Sequence, residues 1–197
     1  MMVALAFALS YVRFLKLPFD GSVTLCSMLP IMLIGIKYGP IIGLGTGFVY
    51  SITQVIQSLT EGTFSGLATW YAVLICLFFD YIIPFTCLGL SGIFGKRGLR
   101  PYAGMFTVVA IRLAAHVISG VTIWKSNMPA DFFVQNVFVY SVVYNSSFLL
   151  PDFAICLAAA IVLLNVPQMR KLVGLPPRGT MAAEQPASDA QRDSDEK

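Results

Sequence analysis

The sequence predicts an all-α integral membrane protein with six transmembrane helices. Three observations carry this. Hydrophobic residues make up 57% of the 197 positions and charged residues only 12%, where soluble domains carry about 25% charged residues. The apolar residues fall into six runs near the roughly 20 residues that a spanning helix needs. The breaks between the runs are polar turns of ordinary composition.

The first run, Met1 to Leu15, opens without a basic leader or a small-residue cleavage site, so no removable signal peptide is expected. It is short for a span, which points to a tilted or interfacial helix or to a start further upstream. LPFDGS, with Pro18, Asp20 and Gly21, then makes a turn. The second run, Ser22 to Ile36, is also short and ends at KYGP; Pro40 suits the first turn of the third run, Pro40 to Leu59, which is rich in glycine. The fourth, Leu67 to Phe94, exceeds the length of a span and is closed by GKRGLRP. The fifth runs from Tyr102 to Trp124 and ends at KSNMPAD. The sixth, Phe133 to Val166, is again long and contains Pro151. Residues 1–171 are thus read as one six-helix transmembrane domain. Residues 172–197 turn rich in Pro, Ala, Ser and Asp and are expected to form a disordered cytoplasmic tail.

Orientation follows from the basic residues. With six spans both termini share a side, and that side carries Lys37, Lys96, Arg97, Arg100, Arg170, Lys171 and Arg178. The other side mixes Arg13, Lys16 and Lys125 with Asp20, Glu61 and Asp131. The basic excess places both termini in the cytoplasm. The net charge of +3 reflects this bias toward the inner face of the bilayer, and no nucleic-acid partner is expected.

Polar residues inside apolar runs are costly, by roughly 2.5–3.5 kcal/mol for a charge at the centre of a helix, and so mark function. Arg112 and His116 are four residues apart in IRLAAHVISGVTIW and share a helix face, with Trp124 two turns on. Asp80 and Tyr81 interrupt the fourth run in LFFDYIIPF, and Tyr140, Tyr144 and Asn145 the sixth in VYSVVYNSSF; Asp152 follows Pro151. At comparable outer-to-middle depths, these side chains predict one cavity walled by a carboxylate, an imidazole, an amide, phenols and an indole. Each has a plainer reading. Arg112 could pair with Asp80 or Asp152, His116 and Asn145 could join helices by hydrogen bonds, and the aromatics could mark the interface.

Other chemistries find less support. One histidine without a second ligand at metal spacing does not make a metal site. Ser119 lies at i+3 from His116, but no oxyanion device accompanies it. No phosphate-binding GxxxxGK[ST] loop is present. The four cysteines lie in apolar runs as small buried thiols. Two small-residue pairs, Ala4 with Ala8 and Gly43 with Gly47, allow close helix approach, to a partner or within the chain.

Four stretches, FDGSVTLCSMLPIMLIGIKYGP, DYIIPFTCLGLSGIF, RLAAHVISGVTIW and VYSVVYNSSFLLP, together resemble the thiamine-specific substrate-binding components (S components) of energy-coupling factor transporters, the ThiT family. The resemblance implies a six-helix S-component bundle in the bacterial cell membrane that captures thiamine from outside. It implies no catalysis and no cofactor: a transmembrane coupling subunit and two ATPase subunits supply the energy, and the S component topples to release its substrate. Docking on the coupling subunit would use Ala4 and Ala8. Substrate binding would fall to Asp80, Tyr81, Arg112, His116, Trp124, which stacks on the pyrimidine, Tyr140 and Asn145, with Tyr144 added from the residues. The first loop departs from some members: Gly21 and Leu25 stand where those have tryptophan and glutamate, so the partner of the thiazolium charge is open between Asp20 and Asp80. The alternatives are an S component for a related pyrimidine or another vitamin, and an intramembrane enzyme using His116 and Asp80.

Overall fold

The computed structural model describes residues 1–17 and 21–177. Seven α-helices and one small hairpin follow in order: α1 (Met2–Ser10), β1 (Arg13–Lys16), β2 (Ser22–Thr24), α2 (Leu29–Tyr38), α3 (Pro40–Glu61), α4 (Trp70–Gly92), α5 (Arg100–Thr122), α6 (Val137–Asn165) and α7 (Pro167–Val173). The fold is all-α apart from the hairpin.

Three helices, α4, α5 and α6, are long and apolar enough to cross a membrane by length and composition. The six runs do not translate into six equal spans. α1 and α2 have 9 and 10 residues, about 15 Å of helix against a hydrocarbon core of about 30 Å. α3 has 22 residues, but Gln54, Gln57, Ser58 and Glu61 dilute its hydropathy. The first run breaks early because Tyr11 to Leu17 leaves the helix to pair antiparallel with Ser22–Thr24, closed by the Leu17 N–H donating to the Gly21 carbonyl at 2.6 Å. The sixth helix starts at Val137 rather than Phe133, because the Asn136 side chain accepts from the backbone N–H groups of Phe138 and Val139 and caps the helix there.

α4 is not uniform. Leu77–Ile82 forms a π-helical turn and Cys87–Gly92 a 3₁₀ turn. Pro84 has no N–H to offer the carbonyl of Asp80, so the regular i+4 ladder cannot continue past that residue. The tight end of α4 is the hub of the bundle, packed by α2, α3 and α5. Glycines make the approach possible. A Cβ on Gly89 would lie 2.0 Å from Gly43, and one on Gly104 1.8 Å from the Ser91 carbonyl. The Gly43 and Gly47 pair therefore serves packing within the chain, against Gly89 and Thr86. Ala4 and Ala8 are exposed on α1, while Ala6 between them is fully buried.

Charges separate to two ends. Lys96 donates to the Lys37 carbonyl at 2.7 Å and lies with Lys171 around a shallow hollow. At the other end Arg13 and Lys16 meet Glu61. Val173 and Leu175 are buried against the core. The rest of the expected tail, with Arg178, and Asp20 of the first turn lie outside the described residues.

Candidate functional site

A cavity of about 1030 Å³, counting its open mouth, lies between α3, α4, α5, α6 and the hairpin. Eight of the side chains singled out in the sequence line it, Asp80, Tyr81, Arg112, His116, Trp124, Tyr140, Tyr144 and Asn145, and Asp152 does not.

Asp80 is its centre. The π turn presents the carboxylate to α5, where three donors converge. The His116 Nδ1 lies 3.1 Å from Oδ1, the Trp124 Nε1 donates to Oδ2 at 3.0 Å, and the Ser119 hydroxyl donates to the same oxygen. These residues follow one another at steps of three and five residues on and just beyond α5, so one side of that helix and its continuation supplies all three. A carboxylate has about four lone-pair sites. Three are occupied, and one remains to accept from a guest.

Arg112 sits one turn before His116, 7% exposed. Its guanidinium carbon lies 4.3 Å over the Phe85 ring, and its Nε donates to His116 Nε2 at 3.4 Å. Its Nη1 is buried without a hydrogen-bond partner. The plainer reading, a pairing of Arg112 with Asp80 or Asp152, is not what forms. Asp80 is taken by α5, and Asp152 points away from the cavity to accept from the Thr24 N–H and hydroxyl, both at 2.9 Å. Asp152 thus pins β2 to α6 and leaves the constellation that sequence alone assembled.

The opposite wall is aromatic. Tyr140, Tyr144 and Phe148 recur every four residues on α6, with ring centroids 6.1 and 5.9 Å apart, and Phe148 meets the His116 ring edge-on. Tyr81 packs between Phe64 and Phe85. Asn145 donates to the Ser141 carbonyl at 2.8 Å, and the Ser141 hydroxyl to the Val117 carbonyl at 3.2 Å. Gly120 permits this close crossing of α5 and α6, since a Cβ there would lie 2.1 Å from Ser141 Oγ. Gly21 lines the cavity with its N–H on the Tyr144 hydroxyl at 3.3 Å. A Cβ at Gly21 would lie 2.8 Å from Phe148 and 2.9 Å from Tyr144. Those two rings fill the space that a large first-loop side chain would take.

Sequence reading missed the mouth. Gln54, Gln57, Ser58 and Glu61 of α3 and Arg13 of β1 also line the cavity. Ser10 donates to Gln57 at 2.9 Å, Gln57 to Glu61 at 3.1 Å, and both Arg13 Nη atoms reach the Glu61 carboxylate. The signal was present: polar residues at 54, 57, 58 and 61 recur at helical spacing on an otherwise apolar helix.

Comparison with known proteins agrees with the resemblance read from the sequence. Residues 1–171 match the family model described as thiamine transporter protein (Thia_YuaJ). The thiamine transporter ThiT of Bacillus subtilis is 30% identical, over 80% of this chain and 83% of that protein. A solved structure of ThiT from Listeria monocytogenes superposes with a TM-score of 0.65 over 85% of this chain and 92% of that one, at 18% identity, a likeness of fold. With a family model covering residues 1–171 and a relative aligned along most of both chains, this protein belongs to the thiamine transporter protein family.

Proposed function

We propose that the cavity binds thiamine from outside the cell and that the chain is the substrate-binding subunit of an energy-coupling factor importer, hydrolysing nothing itself. The observation that carries this is Asp80, held by His116, Ser119 and Trp124 with one acceptor site left, beside an aromatic wall in an open cavity. An aminopyrimidine offers an exocyclic amine to that site. Trp124, Tyr140 and Tyr144 suit flat rings, and cation–π contact with a thiazolium is worth up to about 2 kcal/mol when desolvated. The buried Arg112 Nη1 supplies a donor for a ring nitrogen. An analogue lacking one of these groups leaves a buried partner unpaired, the source of strong discrimination.

The exposed Ala4 and Ala8 face of α1 suits docking on a transmembrane coupling subunit, which two ATPase subunits would drive. The basic end with Lys37, Lys96 and Lys171 suits a multi-pass arrangement with both termini cytoplasmic. Titration of detergent-purified protein with thiamine, followed by calorimetry and tryptophan fluorescence, tests the binding. Absence of any heat or fluorescence change at micromolar thiamine overturns it. Copurification of the coupling and ATPase subunits, lost when Ala4 and Ala8 are both replaced by Leu, tests the assembly.

A further inference from the structure

We propose that the hollow where α2 and α7 end beside the α4–α5 turn binds the headgroup of an anionic phospholipid. Lys37, Lys96 and Lys171 line it, with Tyr38, Leu172 and Gly174 beside them. Such a site requires only that the chain lies in a membrane, whatever the large cavity binds. The described residues carry four side-chain carboxylates, Glu61, Asp80, Asp131 and Asp152. Glu61 and Asp80 line the large cavity, and Asp152 is held by Thr24. Asp131 lies on the link between α5 and α6, whose Trp124 and Asn127 line that same cavity. None of the four lines the hollow. Three like charges around one hollow repel, and an anion among them offsets the repulsion.

The fold fixes two of the three ammonium groups. Lys96 donates to the carbonyl of Lys37, in the last turn of α2, at 2.7 Å. Gly174, left-handed at φ 77°, lets the chain pass close to it: a Cβ there would lie 3.3 Å from Lys96 Nζ. One of the three ammonium donors of Lys96 is used in this way, and two remain. Lys37 Nζ lies 4.8 Å from the centre of the Tyr38 ring. Capping of the α2 carbonyls accounts for Lys96 alone. It does not account for Lys37 and Lys171 on the same hollow. The rim, moreover, is apolar. Tyr38 is 51% and Leu172 57% exposed, and Phe94, two residues before Lys96, is exposed too. A free phosphate gains nothing from such a rim. A lipid phosphate does, because its acyl chains lie alongside, as in the basic pockets between spans that hold anionic headgroups.

The test titrates the detergent-purified full chain with phosphatidylglycerol and, separately, with phosphatidylcholine, and counts bound lipid by native mass spectrometry. Two charge-matched double variants are compared. Lys96→Gln with Lys171→Gln alters the hollow, and Arg97→Gln with Arg100→Gln alters residues that do not line it. The wild type is expected to hold phosphatidylglycerol about tenfold more tightly than phosphatidylcholine, and the hollow variant to lose most of that preference. The Arg97 and Arg100 variant is expected to keep it, as is Lys96→Arg with Lys171→Arg. Equal retention of the two lipids by the wild type overturns the proposal, whether or not a variant folds. Equal loss in both Gln variants also overturns it, because the basic end then acts as diffuse charge. Displacement of phosphatidylglycerol by millimolar inorganic phosphate overturns it as well and assigns the hollow to the free anion.

Discussion

The Nε of Arg112 lies 3.4 Å from the Nε2 of His116, and this contact decides where the imidazole proton sits. A guanidinium can only donate. Nε2 must therefore accept, His116 is neutral, and its proton is on Nδ1, which donates to Asp80 at 3.1 Å. Arg112 thus acts on Asp80 through His116 as a positioning residue. Replacing Arg112 with Met removes the donor and leaves Nε2 free to take up a second proton, so that an imidazolium pairs with Asp80 and draws on the charge a guest would use. Thiamine affinity is expected to fall about tenfold or more, a hydrogen bond to a charged group being worth about 1.5–3 kcal/mol. Arg112→Lys should recover part of it. Nitrogen NMR of the histidine ring should report the neutral Nδ1–H form in the wild type and a doubly protonated ring in Arg112→Met. A neutral ring in both proteins would refute the relay.

Trp124 combines an indole wall with a hydrogen bond to Asp80 at 3.0 Å. Trp124→Phe keeps a ring and deletes the donor, so binding is expected to weaken about tenfold, while Trp124→Ala loses stacking as well and weakens further. The chain has one other tryptophan, Trp70, which is 76% exposed and does not line the cavity. Ligand-induced quenching should therefore survive Trp70→Phe and vanish in Trp124→Phe. Quenching that instead follows Trp70 would place the guest elsewhere.

The floor of the cavity was legible in the sequence because intramembrane polarity is expensive. Asp80, Arg112, His116 and Asn145 each break an apolar run, and helical spacing alone puts Arg112 with His116. The mouth was not legible in the same way. Arg13 and Glu61 each sit at the end of an apolar run and pass as loop charges, since their pairing across 48 positions has no local signal. Asp152 misleads for the converse reason. It is as intramembrane as Asp80, but sequence cannot tell that its face of α6 meets Thr24 rather than the cavity. The hairpin escaped because four residues of β1 are too few for an alternating pattern to stand out from an apolar helix end.

Close helix approach in this bundle depends on glycines at particular positions. Gly89→Ala and Gly104→Ala drive a methyl into backbone, with contacts of 2.0 and 1.8 Å. No side-chain rotation relieves either, so each is expected to destabilise by about 1–3 kcal/mol or more. Gly45→Ala is the contrasting case. It lies in the interior of α3 with nothing within 4 Å of the added carbon, and helix propensity favours alanine by about 0.5–1 kcal/mol. Thermal melts in detergent should show losses for the first two and no loss for the third. Equal effects at all three positions would mean that backbone flexibility, not space, is what the glycines provide.

The Arg13–Glu61 pair should also be visible as a pH effect on stability. Hydrogen bonds from Arg13 hold the Glu61 carboxyl below its ordinary value of 4.5, with burial opposing and Gln57 and Lys16 assisting. A carboxylate whose value is lowered by folding stabilises the folded state above its unfolded value, and that contribution disappears as pH falls through the lowered value. The melting temperature of the wild type should therefore exceed that of Glu61→Gln by a constant margin from neutral pH down to about 4.5. Below that the margin should shrink, since protonated Glu61 and Gln then pair alike with Arg13. The pair is partly exposed, so raised salt should narrow the margin as well. A margin independent of both pH and salt would mean that Glu61 anchors the hairpin through shape and hydrogen bonding rather than charge, and Arg13→Gln would then cost as much stability at pH 3 as at pH 7.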